Sequence, residues 1–415
     1  MAVITFDRVD VIFGRRVKEA LALLDAGADK DRIFEETGQV VGVQDASLQV
    51  EAGEIFVLMG LSGSGKSTLL RCVNGLNRAT RGRVLVDDGG TEIDVTDCDP
   101  KFMRRLRMDR ISMVFQQFAL MPWRTIAANV AFGLEVRGVP KAERRERVAE
   151  VLEQVGLGSW LDHYPHELSG GMQQRVGLAR AFATDAEILL MDEPFSALDP
   201  LIRERLQDEL LALQTTLRRT ILFVSHDLDE ALKIGTRIAI MEGGRIIQIG
   251  PPEKIVTEPA DDYVRQFVAN VNPLNVLRGV SLMRPLATLR SEDDVHLLDD
   301  ESAMFCRLDG TGRPEAFSLG GAPAQLVPYR EDLDLASLDN GAIVAGGPDT
   351  TMRTALEVRH ETGRAMPVLD GENRLIGVIG AAELLAALVH RGAGAGGSTD
   401  VDTDAPEIEP PAAER

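Results

Sequence analysis

Nothing in this 415-residue chain approaches the roughly 20 consecutive apolar residues that a bilayer-spanning helix needs. The first ten residues, MAVITFDRVD, lack the basic stretch and apolar run of a secretory signal. If the protein serves a membrane, it must therefore dock onto partners that span it. Positive charge is also short: 45 Lys and Arg stand against 65 Asp and Glu, a formal net charge of -20. No long basic stripe remains to neutralise phosphate backbones, which argues against nucleic acid as a partner. Cysteine is sparse. Cys72, Cys98 and Cys306 are scattered without CxxC spacing, which suggests neither a disulfide framework nor a zinc site and fits a reducing cytoplasm. Each is expected to be a small buried or half-buried thiol.

What is present is length and alternation. A chain of this size exceeds what one hydrophobic core usually organises, so two domains are expected. Apolar runs at Ile55–Met59, Arg83–Asp87, Ile111–Phe115, Ile188–Met191, Ile221–Val224 and Ile238–Met241 read as strands. Between them, Lys141–Val155 and Leu201–Leu217 read as helices. Such alternation points to an α/β domain with a largely parallel, buried sheet, over residues 1–270. Residues 17–38 interrupt an N-terminal β-ribbon with a helical pattern: two short helices joined at Ala26–Asp29, with Leu21, Leu24, Ile33 and Phe34 as packing residues. A weaker pattern occupies 271–390. The Gly-rich, acidic stretch 391–415 cannot bury enough apolar surface to order itself and is expected to be disordered.

The sharpest local signal is Gly60-Leu61-Ser62-Gly63-Ser64-Gly65-Lys66-Ser67-Thr68. It matches GxxxxGK[ST] between an expected strand and an expected helix, Thr68–Asn74, which is the context that motif requires. Its glycines let the backbone wrap until consecutive N–H groups point at a β-phosphate, and the helix N-terminus adds positive dipole. Lys66 should reach the β- and γ-phosphates of ATP, and the Ser67 hydroxyl should ligate Mg²⁺.

Downstream stand Gln116, Leu168-Ser169-Gly170-Gly171-Met172-Gln173-Gln174-Arg175, the apolar run ending Asp192-Glu193, Ser196-Ala197-Leu198-Asp199, and His226. In order, these resemble the Q-loop, signature, Walker B, D-loop and H-loop of ABC (ATP-binding cassette) ATPases. The resemblance implies a P-loop nucleotide-binding domain with a parallel-sheet core, an N-terminal β-ribbon and a helical subdomain. Asp192 is then a Mg²⁺ ligand, direct or through water, and Gln116 a neutral Mg²⁺ or water ligand. Glu193 orients and polarises the attacking water. His226 bonds the γ-phosphate and fixes Glu193. Ser169, Gly170 and Gly171 open a helix whose free N–H groups form a second anion site. In this family that site, with Gln173 and Asp199 beside it, meets the nucleotide of a second cassette, so a homodimer is expected. Phe13 is the candidate to stack on adenine, with core packing as the other reading.

The insertion at 17–38, Met113-Val-Phe-Gln-Gln-Phe-Ala-Leu120 and Val271-Asn-Pro-Leu-Asn-Val276 resemble cassettes of glycine betaine, proline betaine and choline importers. Phe118–Thr125 and Leu190–Ile202 look most like the choline-uptake branch. That resemblance implies integral-membrane permease subunits, a periplasmic or lipid-anchored substrate-binding protein, and a peripheral place on the cytoplasmic face of the inner membrane. The apolar segment Phe115–Thr125 would then receive a short permease helix. A cassette for an unrelated small solute such as an amino acid remains an alternative. So does a soluble ABC ATPase of repair or translation, although its usual second cassette or coiled-coil insertion is missing. Thr354–Leu385 resembles one CBS repeat (helix, strand, turn, strand, helix), and 283–339 should hold a degenerate partner repeat. A small α+β, CBS-like regulatory or dimerising domain is therefore expected after the cassette.

Overall fold

The computed structural model describes residues 2–389 apart from 117, 118, 197, 270, 293 and 331. The expected disordered tail, 391–415, lies outside the described residues. The chain divides into two compact units, Met1–Val271 and Asn272–Arg415.

The first unit holds two sheets. Strands β1 (Ala2–Phe13), β2 (Val40–Glu51), β4 (Arg81–Asp87) and β5 (Glu92–Asp94) form an antiparallel ribbon in the order β2-β1-β4-β5. The larger sheet contains β3 (Ile55–Met59), β6 (Ile111–Val114), β7 (Ile188–Asp192), β8 (Thr220–Ser225), β9 (Arg237–Glu242) and β10 (Arg245–Gly250). Its order is β10-β9-β3-β8-β7-β6, and all pairings are parallel except β10 with β9. β3, β7 and β8 are buried along their whole length. That is why they read as unbroken apolar runs rather than as alternation. One cluster, including Phe6, Phe56, Leu69, Leu190 and Leu222, joins both sheets to helix α3 (Lys66–Val73).

A second apolar cluster, including Ile126, Val151, Leu152 and Val176, builds the helical subdomain from α5 (Ile126–Val130), α6 (Phe132–Val136), α7 (Lys141–Gln154) and α8 (Gly170–Ala183). Helix α4 (Pro100–Asp109) precedes β6, α9 (Pro200–Leu217) precedes β8, and α10 (Leu228–Ile234) follows β8.

The insertion folds as α1 (Val17–Asp25) and α2 (Lys30–Thr37). The carboxylate of Asp29 caps α2 by accepting from the Arg32 N–H at 2.8 Å. Leu24 and Ile33 are buried with Ile12 and Val41, and Leu21 packs against them. Phe34 departs from expectation and is 55% exposed. A helix of eight residues offers one narrow face to the ribbon, and Ile33 takes it. Cys72 and Cys306 are buried, and burial pushes each thiol up to about 12. Neither is a nucleophile at neutral pH.

In the second unit, Met352–Thr362, Met366–Leu369, Leu375–Ile379 and Ala381–Val389 form helix, strand, strand and helix, in the order expected for Thr354–Leu385. The 283–339 stretch is different. Short strands from Ser291 to Pro328 form an antiparallel meander, and its last strand, Ala322–Pro328, pairs in parallel with Ala342–Ala345. Of the described residues there, only three-residue helical turns interrupt the strands. The unit is thus a β-rich addition to the cassette.

Candidate functional site

The loop Gly60–Gly65 joins β3 to α3 and is pressed between two pieces of backbone. Gly60 (φ 146°) and Gly65 (φ 97°) lie in a region closed to other residues. A methyl group would fall 2.1 Å from the Met241 carbonyl oxygen at Gly60 and 2.3 Å from that of Gly42 at Gly65. A methyl at Gly63 would meet nothing within 4 Å, so the loop opens there. The Gly244 N–H donates to the Ser64 carbonyl at 3.1 Å and braces the loop from the β9–β10 turn. Ser62 is exposed and Ser64 buried.

Lys66 is only 4% exposed, and its ammonium donates to the carbonyls of Gly60 and Leu61, both at 2.8 Å. Burial lowers its pKa, while the nearby carboxylates of Glu193 and Asp192 pull it back. A buried cation, the start of α3 and an open face at Gly63 suit a polyphosphate.

Asp192, the last residue of β7, is completely buried. Its Oδ1 accepts from Ser67 Oγ at 2.6 Å, and its Oδ2 accepts from Arg71 Nε at 3.1 Å and Nη2 at 2.8 Å. Among the described residues, no group of three His, Cys, Asp or Glu could hold a metal ion. A divalent ion here would take the Ser67 hydroxyl, the Asp192 carboxylate and oxygens of phosphate and water, which is the habit of Mg²⁺. Arg71 is absent from the residues expected from sequence. Its signal was the spacing, since Ser67 and Arg71 sit one turn apart on the same face of α3.

Glu193 lies one residue beyond the strand with φ 49°, a left-handed backbone for a non-glycine. That conformation costs about 1–3 kcal/mol and persists only where neighbours enforce it. Here its N–H donates to the Val224 carbonyl at 3.1 Å, and its carbonyl accepts from Ser196 Oγ at 3.1 Å and Gln174 Nε2 at 3.4 Å. Its side-chain Oε2 accepts from Gln116 Nε2 at 3.0 Å and lies 3.1 Å from His226 Nδ1. Lys66, Ser67, Asp192, Glu193, Gln116 and His226 thus converge at one end of the sheet.

Phe13 is 44% exposed and is not a core residue. Its ring lies across Gly42, where a methyl group would come 2.7 Å from the ring Cε2 and 3.3 Å from Thr68 Cγ2. The ring therefore flanks the start of α3 despite the insertion that follows it.

The signature residues make their contacts elsewhere. Ser169 caps α8, accepting from the Met172 N–H at 3.4 Å, with Gly170 and Gly171 in the first turn. Gln173 turns back, and its Nε2 donates to the carbonyls of Pro165 and Leu168 at 2.9 and 3.1 Å. Asp199 caps α9 by accepting from the Ile202 N–H at 3.1 Å. Ala197, between Ser196 and Leu198, lies outside the described residues, as do Gln117 and Phe118 of the apolar segment. Within that segment Trp123 is 75% exposed. Phe115 at the start of the segment lines a cleft of about 280 Å³ together with Leu76, Met108, Met113, Phe132 and Val136, among others.

Known proteins resemble this chain over most of its length. The profile of the ABC transporter family matches residues 43–196. The glycine betaine/proline betaine transport system ATP-binding protein ProV of Escherichia coli is 44% identical, over 92% of this chain and 96% of its own length. The choline transport ATP-binding protein OpuBA of Bacillus subtilis is 33% identical, over 83% and 91%. Among solved structures, a dimeric ATP-binding cassette bound to ADP and Pi superposes with a TM-score of 0.52 at 30% identity, covering 60% of this chain and 98% of that one.

Proposed function

The chain belongs to the ATP-binding subunits of ABC transporters, in the group that includes the glycine betaine/proline betaine systems, and from that premise we propose that it hydrolyses ATP to drive uptake of a small quaternary ammonium osmolyte. The observation that carries this reading is Glu193, whose carboxylate is held by Gln116 and His226 beside a phosphate loop. In the proposed chemistry Oε2 stays tied to those two residues, and Oε1 orients the attacking water. Lys66 leaves its loop carbonyls for the β- and γ-phosphates, and His226 reaches the γ-phosphate. Mg²⁺, held by Ser67, Asp192 and the phosphates, would add positive charge where negative charge develops. Phe13 would stack on the adenine.

Ser169, Gly170 and Gly171 open α8, and the likeness to ABC cassettes implies that the phosphates they serve belong to a second cassette. A homodimer follows as the simplest working unit, and the relatedness to a cassette that pairs supports it. The cleft lined by Phe115, Met113 and Phe132 suits a short apolar helix from a permease subunit. With no described helix long and apolar enough to cross a membrane, such subunits must supply the pathway, and an external binding protein must supply the solute. The cassettes would then work on the cytoplasmic side. Betaines rank ahead of choline as cargo, because identity to the betaine-system relative exceeds that to the choline relative. The helix–strand–strand–helix half of the second unit supports a CBS-like regulatory or dimerising role. The meander before it departs from a paired repeat.

The test is uptake of labelled glycine betaine, proline betaine and choline in cells with and without this chain. Dependence should be greatest for the betaines. Uptake that is independent of the chain for all three would remove the osmolyte assignment.

A further inference from the structure

His226 has two immediate neighbours: helix α9 holds Asp227 directly and reaches Ser225 through Glu230. Arg203 and Gln207 stand one turn apart on α9 and so share a face. Arg203 Nη1 donates to Asp227 Oδ2 at 2.9 Å, and Nη2 donates to the Leu198 carbonyl at 3.3 Å. Gln207 Nε2 donates to Glu230 Oε1 at 3.1 Å, and the other Glu230 oxygen accepts from Ser225 Oγ at 2.5 Å. The Asp227 N–H donates back to Ser225 Oγ at 2.9 Å, and Asp227 Oδ1 caps α10 by accepting from the Glu230 N–H at 3.2 Å. His226 is therefore suspended between two anchored residues, while its own ring, 56% exposed, lies 3.1 Å from Glu193 Oε2 through Nδ1.

The Arg203–Asp227 pair is 29% and 34% exposed. Ion pairs this open contribute little to stability, so the contact is more informative about geometry. One guanidinium spans the segment Ser196–Asp199 on one side and the residue after His226 on the other. We propose that Arg203 is a positioning residue for ATP hydrolysis, tying the Leu198 carbonyl to Asp227 so that His226, and with it Glu193 Oε2, follows any displacement of the Ser196–Asp199 segment. Leu201, two residues before Arg203 in the first turn of α9, is 79% exposed, so this end of the helix faces solvent. Pairing there would act on the segment first and on His226 through Arg203. The proposal rests on the reading of the site as an ATPase.

The test compares the full-length chain with Arg203→Met, Asp227→Asn, both together, and Arg203→Lys, measuring steady-state hydrolysis and the Kd of a fluorescent ATP analogue. Asp227→Asn keeps the cap on α10, because Asn serves as well there, and carries the test if Arg203→Met fails to fold. The expected result is a kcat loss of about 10- to 100-fold in each single variant, the range that a small misplacement of a reacting group produces. Kd should hold within about twofold, the double variant should be no worse than the poorer single, and Arg203→Lys should recover most of the rate. Wild-type kcat in both single variants, or losses that multiply in the double, would overturn the proposal. A wild-type chain that hydrolyses no ATP removes the underlying ATPase reading and this proposal with it.

Discussion

Removing the Phe13 ring is expected to weaken ATP binding without touching the chemical step. The side chain is 44% exposed and rests across Gly42 beside Thr68. Phe13→Ala therefore opens no core cavity, and its cost in stability should stay near 0.5 kcal/mol, roughly the scale of surface substitutions. Stacking one base on one aromatic side chain is worth about 1–3 kcal/mol, which corresponds to about 5- to 150-fold in Kd. Gly42→Ala should act the same way from another strand. Its methyl group would sit 2.7 Å from the ring, closer than side-chain carbons approach one another, so the ring must rotate off its seat. Phe13→Trp should restore affinity. Titration calorimetry with ATP and with inorganic tripolyphosphate separates the base from the phosphates: only ATP binding should weaken, and kcat at saturating ATP should be unchanged. An ATP Kd within about twofold of wild type in Phe13→Ala would refute the stacking role, as would equal weakening of tripolyphosphate.

Glu193→Gln should slow hydrolysis by about 100- to 10,000-fold, the usual contribution of a general base, while size-exclusion chromatography with ATP still shows a cassette pair; rapid turnover would remove Glu193 from its role. Asp192→Asn leaves Arg71 facing a neutral group across a buried contact. Because Arg71 is 38% exposed, the loss should be about 1–3 kcal/mol rather than the full cost of breaking a buried pair, read by urea denaturation together with a weakened Mg²⁺ dependence. For Glu230, burial raises the carboxyl pKa above its ordinary 4.5, against the hydrogen bonds from Ser225 and Gln207. The folded state then holds the proton more tightly, so this residue's stabilising share is complete below pH 4.5 and is lost as pH rises through the raised value. Glu230→Gln should flatten the decline of Tm above that pH, and an unchanged slope would exclude Glu230 as its source. Ending the chain after Val271 should leave basal ATPase activity, since the cassette is a compact unit of its own; loss of all activity would show that the second unit completes it.

Chemistry was more legible in the sequence than packing. The phosphate loop, Asp192 and Glu193, and His226 could be read because phosphate and metal chemistry needs particular residue types next to particular strand ends, and few other sequences satisfy both. The helix pair in 17–38 was legible as a helical pattern broken at Ala26–Asp29, where Asp29 proves to accept from the Arg32 N–H. Phe34 was not, because an eight-residue helix can bury either of two adjacent apolar residues, and the ribbon chooses Ile33. The meander between Ser291 and Pro328 was missed for a related reason. Its strands are two to seven residues long and carry little alternation, so neither period dominates. Arg203 was invisible because an arginine on a helix looks the same in sequence whether it meets solvent or a carboxylate, and Arg71 left only its one-turn spacing from Ser67 as a signal. Nor does any residue type announce a left-handed backbone at a glutamate.

The sheet order explains why a site drawn from such distant residues can be built at all. β3, β8, β7 and β6 are neighbours in that order, although they come from positions 55, 220, 188 and 111. The phosphate loop follows β3, His226 follows β8, Glu193 follows β7, and Gln116 comes two residues after β6. Parallel pairing puts the carboxyl ends of all four strands on one edge, where ligands of open α/β sheets bind. The buried strands fix Asp192 and the loop, because moving either would disturb side chains packed on both faces of the sheet. Glu193, His226 and Gln116 stand just beyond the strands, their side chains joined through Glu193 Oε2, while the Glu193 backbone is tied to Val224, Ser196 and Gln174. In the proposed reading, metal and phosphate binding therefore rest on residues that the buried strands fix, whereas the geometry of the attacking water rests on the residues just beyond those strands.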